Sequence, residues 1–140
     1  MKILKAIAIT GFLSAVVGQI ISVFLPIEVI PTWGITIFVG IFPLGFAGIF
    51  ACVHIGRSKG IWGRDKQWEY TYIKSPKWTN KMALGLFFYT LILFAVNIAR
   101  QTSGSTFAQS LSPLFQTCTG AMVFYAVLAM VFHAASSGGQ

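Results

Sequence analysis

Acidic side chains are what this sequence most conspicuously lacks. Glu28, Asp65 and Glu69 are the only three in 140 residues, and none falls inside a long apolar run. Proton and sodium relays in membranes usually rest on carboxylates or histidines held within the spans, so a transporter coupled through Asp or Glu is disfavoured. The same scarcity removes the paired carboxylates of glycosidase-type catalysis and the Ser-His-Asp constellation. The residues give no basis for expecting an enzyme. Cysteine is also scarce: Cys52 and Cys118 are expected near opposite membrane faces, beyond the Cα separation of about 7 Å that a disulfide tolerates. No internal repeat is present, which leaves an inverted-repeat transporter without support. Charged residues make up only 9% of the chain, too few to cover a soluble domain of this size.

What the chain has instead is oil. It is 56% hydrophobic, and its apolar runs reach the roughly 20 residues that a helix needs to cross a bilayer. Lipid provides no water for backbone groups, so such runs must be helical. The expected fold is an all-α integral membrane bundle of four transmembrane helices, up-and-down, in one domain covering 1–140. The spans are predicted at about 3–25, 34–55, 82–99 and 114–135, with short outer loops at 26–33 and 101–113. A basic connector covers 56–81 and a polar tail 136–140. The basic-then-apolar start resembles a signal peptide, but the run is longer than a signal core and no A-x-A site follows. A retained first span is therefore expected.

Orientation follows from charge. Nine of the ten Lys/Arg lie at the N-terminus or in the connector, and only Arg100 lies on the other side. By the positive-inside rule, both termini and the connector face the cytoplasm of a cell membrane, expected to be a bacterial inner membrane. The net charge of +7 then marks topology, and no basic fold remains outside the spans to bind nucleic acid. Within the connector, Arg57, Lys59, Arg64, Lys66, Lys74, Lys77 and Lys81 alternate with Trp62, Trp68, Trp78, Tyr70 and Tyr72. These cations and tryptophans are candidate contacts for anionic lipid headgroups or a cytoplasmic partner. The plainer alternative is a retention signal with an aromatic belt.

Inside the spans, Gly11, Ser14, Ala15, Gly18 and Ser22 recur at helical spacing, a face that lets another helix come close. Gln19 lies beside that face, and its amide needs a partner in the bundle. Pro43, flanked by Gly40, Gly45 and Gly48, predicts a kink between residues 42 and 46 and is a candidate hinge. His54 and His133 are expected at similar depth on two spans. Such a pair could hold a haem iron, flank a quinone headgroup or share a metal with Cys52. Alternatively, each meets only water, headgroups or a loop at the polar boundary, with no cofactor. Tyr125, Ala129 and His133 share one face of the last span, read as packing rather than as a lined cavity. Glu28 and Arg100 could pair across the outer loops, an interaction of roughly 0–1 kcal/mol.

The residues Ser75-Pro76-Lys77-Trp78, Tyr89 in the third span and Met122-Val123-Phe124-Tyr125 in the fourth carry a resemblance to small four-span bacterial membrane proteins of uncharacterised activity. The resemblance covers the second half of the chain. That group tends to have Cys in place of Ser75 and His-Trp near Gly120-Ala121. The small-residue face points to a non-enzymatic accessory, assembly or immunity-type component acting by helix–helix contact, as a homo-oligomer or with another membrane protein. A small oligomeric channel or transporter and a haem- or quinone-binding redox subunit are the alternatives.

Overall fold

The computed structural model describes residues 1–24, 30–103 and 113–137. Six helices account for nearly all of them: α1 Lys2–Phe24, α2 Thr32–Val39, α3 Ile41–Lys59, α4 Arg64–Lys74, α5 Lys77–Ser103 and α6 Pro113–Ser137. No strand occurs among the described residues. Four stretches are long and apolar enough to cross a membrane: Lys2–Phe24, Thr32–Lys59, Lys77–Val96 and Leu114–Ser137. The chain is thus all-helical with four candidate spans. Half of the first expected outer loop, most of the second, the end of the tail and the expected Glu28–Arg100 pair lie outside the described residues.

The connector takes a helical form that its charge pattern alone does not indicate. Arg, Lys, Gln and Glu are good helix formers, and they extend the neighbouring helices into it. α3 continues to Lys59 and α5 begins at Lys77, while 64–74 forms a helix of its own. What remains irregular is 60–63 and 75–76. Gly60, at φ 67°, ends α3 in the left-handed conformation that only glycine adopts without cost. Asp65 in the first turn of α4 and Lys74 in its last both complement the helix dipole.

The kink also moves. The interruption between α2 and α3 falls at Gly40, upstream of the predicted range, and Pro43 is the third residue of α3. The reason is geometric: proline lacks the N–H that would reach the carbonyl four residues earlier, and its ring presses on that turn. Distortion therefore lands between residues 39 and 43. The last turn of a helix leaves carbonyls without intrahelical donors, and Tyr125 of α6 supplies one, its hydroxyl donating to the Ile37 carbonyl at 2.5 Å.

α6 is the centre of the molecule. In its most apolar stretch 61% of residues are buried, against 22% in α1 and none in α5, and every other helix packs on it. The α1–α6 contact is the tightest. Ala8, Ala15, Gly18 and Ser22 are buried along one stripe of α1, with Gly11 on the same stripe facing the Tyr125 ring. Ser14 is only half-buried, so Ala8 and Ala15 belong to the seam more fully than Ser14 does. A methyl group added at Gly18 would lie 2.8 Å from Cys118 Sγ. The pairs run in opposite sequence order: Lys5 with His133, Gly11 with Tyr125, Gly18 with Cys118.

A Gly11→Leu substitution tests this seam. Tyr125 cannot swing aside without losing its bond to Ile37, so the added side chain must part the helices. Overpacking of this kind costs about 1–3 kcal/mol. Nothing lies within 4 Å of a methyl group placed on Gly85, so Gly85→Leu should be neutral or stabilising by up to about 1 kcal/mol. Thermal unfolding in detergent is expected to show a lower Tm for the first variant and not for the second.

Candidate functional site

Polar chemistry concentrates at the end of the molecule where Lys5, His133 and α4 meet. α4 is amphipathic, and Gln67, Tyr70 and Thr71 form its inward face by helical spacing. The Gln67 amide donates to the carbonyls of Cys52, at 3.2 Å, and Ile61, at 3.0 Å, tying α4 to the end of α3. Thr71 and Ser75 are buried, and the Ser75 hydroxyl donates to the Thr71 carbonyl at 2.7 Å. The Trp62 ring covers Gly56, 2.9 Å from where a side chain would begin. Asn80 on α5 donates to the Tyr72 carbonyl at 2.9 Å, fastening the start of α5 to α4.

The outward side of this region carries the expected lipid or partner contacts. Arg57 and Lys59 lie in the last turn of α3, Arg64, Lys66, Trp68 and Lys74 on α4, and Lys77, Trp78 and Lys81 in the first turns of α5. These residues and Trp62 are all exposed. Arg64 pairs with its neighbour Asp65 at 3.7 Å, both almost fully exposed, which adds little stability. The Lys74 ammonium sits 5.9 Å from the Tyr70 ring centroid, within cation–π range.

Beside α4 lies a cavity of about 370 Å³ bounded by α1, the Ser75–Pro76 link, the start of α5 and α6. Its body is apolar: Ile9, Phe12 and Leu13 from α1, Met82 from α5, and Ala126, Ala129 and Met130 from α6. Its polar lining is Lys5, His133, Ser75 and Thr79, with Trp78 alongside. Lys5 Nζ donates to His133 Nδ1 at 2.9 Å. An ammonium has donors only, so Nδ1 must present its lone pair and the imidazole is neutral with its proton on Nε2. The Lys74 backbone is the second polar neighbour of that ring. One imidazole thus links α1, α6 and the end of α4.

The structure sorts the remaining candidates. His54 is exposed on α3 and does not line the cavity that His133 lines. Cys52 is half-buried and Cys118 buried, and no group of three or more His, Cys, Asp or Glu is close enough for a metal among the described residues. Pro43 is exposed and lines a groove with Gly11, Ser14, Gly40 and Tyr125. The Tyr125–Ala129–His133 stripe divides: Tyr125 packs against α1 and bonds to Ile37, whereas Ala129 and His133 open onto the cavity. Lys5, Ser75, Thr79 and Met82 are not recognisable as one site in the sequence. Their only signal there is a basic start and a proline-marked helix entry, on segments some 70 residues apart.

Gln19 finds two partners. Its amide donates to Thr119 Oγ1 at 2.7 Å and to the Tyr89 hydroxyl at 3.2 Å, using both its donors and linking α1 to α6 and α5. Compared with known proteins, the chain matches no family model, no curated protein and no solved structure.

A double-mutant cycle on Gln19→Leu and Thr119→Val measures the polar link between the central helices. The expected coupling is about 0.6 kcal/mol, the average for interhelical hydrogen bonds in membranes, and no more than about 1.7 kcal/mol, the largest such value. Equilibrium unfolding in detergent is the readout.

Proposed function

We propose that the protein is a non-enzymatic accessory component of a bacterial inner membrane whose cytoplasmic end engages anionic lipid headgroups. In this reading the four spans run up and down, both termini face the cytoplasm, and α4 lies along the inner leaflet. The observation that carries it is the exposed side of α4 and its flanks, where cations alternate with Trp62, Trp68, Tyr72 and Trp78. Tryptophan and tyrosine favour the headgroup region. Each Lys or Arg held there gains about 1 kcal/mol from an anionic surface. A helix that docks by Gln67 and Thr71 keeps its cations on the outer side, which a loose loop would not do.

Helix contact with another membrane protein takes a different surface from the one the small residues suggested. The Gly11–Gly18 stripe of α1 already packs on α6 of the same chain. α5 is the span least covered by the rest of the chain, with none of its most apolar stretch buried and Leu84, Phe87, Phe88, Leu91, Ile92 and Phe94 exposed. In this proposal any accessory contact is made there.

The lipid reading predicts that anionic lipid is enriched around the purified protein. Polymer extraction into native nanodiscs, followed by lipid mass spectrometry, should give an anionic fraction above that of the bulk membrane. Combining Arg57→Gln, Arg64→Gln and Lys66→Gln should return it towards the bulk value, each change weakening headgroup affinity about fivefold. Unchanged enrichment in the triple variant contradicts the proposal.

A further inference from the structure

We infer that the cavity between α1, α5 and α6 is a binding site for one amphiphile with an anionic headgroup, a carboxylate or a phosphate, and an alkyl chain. This inference stands apart from the lipid platform on α4, because it concerns a bounded site whose cation, Lys5, is not part of that platform; the two share only Trp78.

The shape comes first. A volume of about 370 Å³ falls in the range of roughly 300–1,000 Å³ typical of ligand sites. Protein interiors leave few voids larger than a water molecule. An apolar space of this size beside lipid therefore calls for a hydrophobic occupant. Its walls are Ile9, Phe12, Leu13, Met82 and Met130, and the two methionines provide a flexible surface that adapts to a chain. The cavity exists because α5 stands off the bundle: its start is held by Asn80 and its middle by Tyr89, with none of its most apolar stretch buried.

Charge decides the headgroup. Lys5 lines the cavity and is half-buried. One of its three N–H donors goes to His133, which leaves two for a ligand. Among the described residues the only ion pair is the exposed Arg64–Asp65, so no carboxylate there neutralises Lys5. The other polar groups do not compete for it, since the Ser75 and Thr79 hydroxyls donate to the Thr71 and Pro76 carbonyls. A neutral His133 accepting from Lys5 aims the ammonium without adding a second charge. An uncompensated cation at the polar end of an apolar cavity selects an anion that carries its own hydrocarbon. Low local dielectric strengthens that attraction.

The test is photo-crosslinking of the full chain in phosphatidylcholine nanodiscs. Three probes share one diazirine-bearing chain and differ in headgroup: a fatty acid, a phosphatidic acid and a neutral monoacylglycerol. Peptide mass spectrometry is expected to place adducts of an anionic probe on residues 9–13, 78–82 or 126–133. Capture of the fatty acid alone assigns a carboxylate ligand, of the phosphatidic acid alone a phosphate ligand, and of both a site for either anion. Lys5→Gln should lower capture about tenfold or more, as loss of a charged hydrogen bond does. Ala129→Phe fills the cavity from α6, and Met82→Trp fills it from the loosely packed α5, where folding is less at stake. Each should abolish capture, while Arg57→Gln with Arg64→Gln and Lys66→Gln leaves it intact. Equal capture of all three headgroups, no capture of either anion, or capture that survives Lys5→Gln or both filling variants overturns the inference.

Discussion

The close approach of α1 to α6 is the constraint on which the rest of the structure depends. Lipid tails are as apolar as leucine, so no hydrophobic force pushes two spans together; contact must come from packing and interhelical hydrogen bonds. Ala8, Gly11, Ala15, Gly18 and Ser22 keep one stripe of α1 nearly free of side chains, and dispersion grows as the backbones near each other. Tyr125 uses the room left at Gly11, and its hydroxyl reaches past α1 to the carbonyl of Ile37. The break in the second span and the α1–α6 seam are therefore one feature, held by a single tyrosine. Gln19 and Thr119 add the polar half of the same contact.

With α6 at the centre, the other elements occupy what is left. α2 and α3 wrap one side, α4 closes the end near His133, and α5 is tethered at a few points only. This arrangement explains why the polar groups gather at one end. Lys5 and His133 open and close the two central helices, so the pairing order of the seam brings them together. The Ser75–Pro76 link then brings the start of α5 alongside, and the gap it leaves becomes a cavity with a cation at its edge.

Much of the fold is legible in the sequence because it rests on composition. Four apolar runs of spanning length, the proline at 43 and the small residues of the first span all leave one-dimensional signals. The connector's charge marks where the chain leaves its apolar runs but not what form it takes there: its Arg, Lys, Gln and Glu residues have good helical propensity, and α4 is delimited by Gly60 and Gly63 before it and by Ser75–Pro76 after it. The kink is displaced because proline acts on the turn before it. The candidate site is hardly legible. His133 and Lys5 are 128 residues apart, and nothing local to either indicates the other. Pairing His133 with His54 rests on depth alone, and the structure gives His133 a lysine partner on α1 instead. The small-residue stripe marks a close-contact face, but sequence cannot say whether the partner is another chain or α6.

That last choice is the one to test, because a seam used within the chain removes α1 as an assembly surface and fixes the geometry of the Lys5–His133 end. The measurement is oxidative crosslinking of Gly18→Cys with Cys52→Ala, leaving Cys118 as the only other thiol. The new Cβ would stand about 2.8 Å from Cys118 Sγ, close to disulfide geometry. A seam within the chain predicts an intramolecular disulfide, seen as a monomer that loses two protons and blocks both thiols. Covalent dimers formed through the introduced cysteine in place of that product would contradict it.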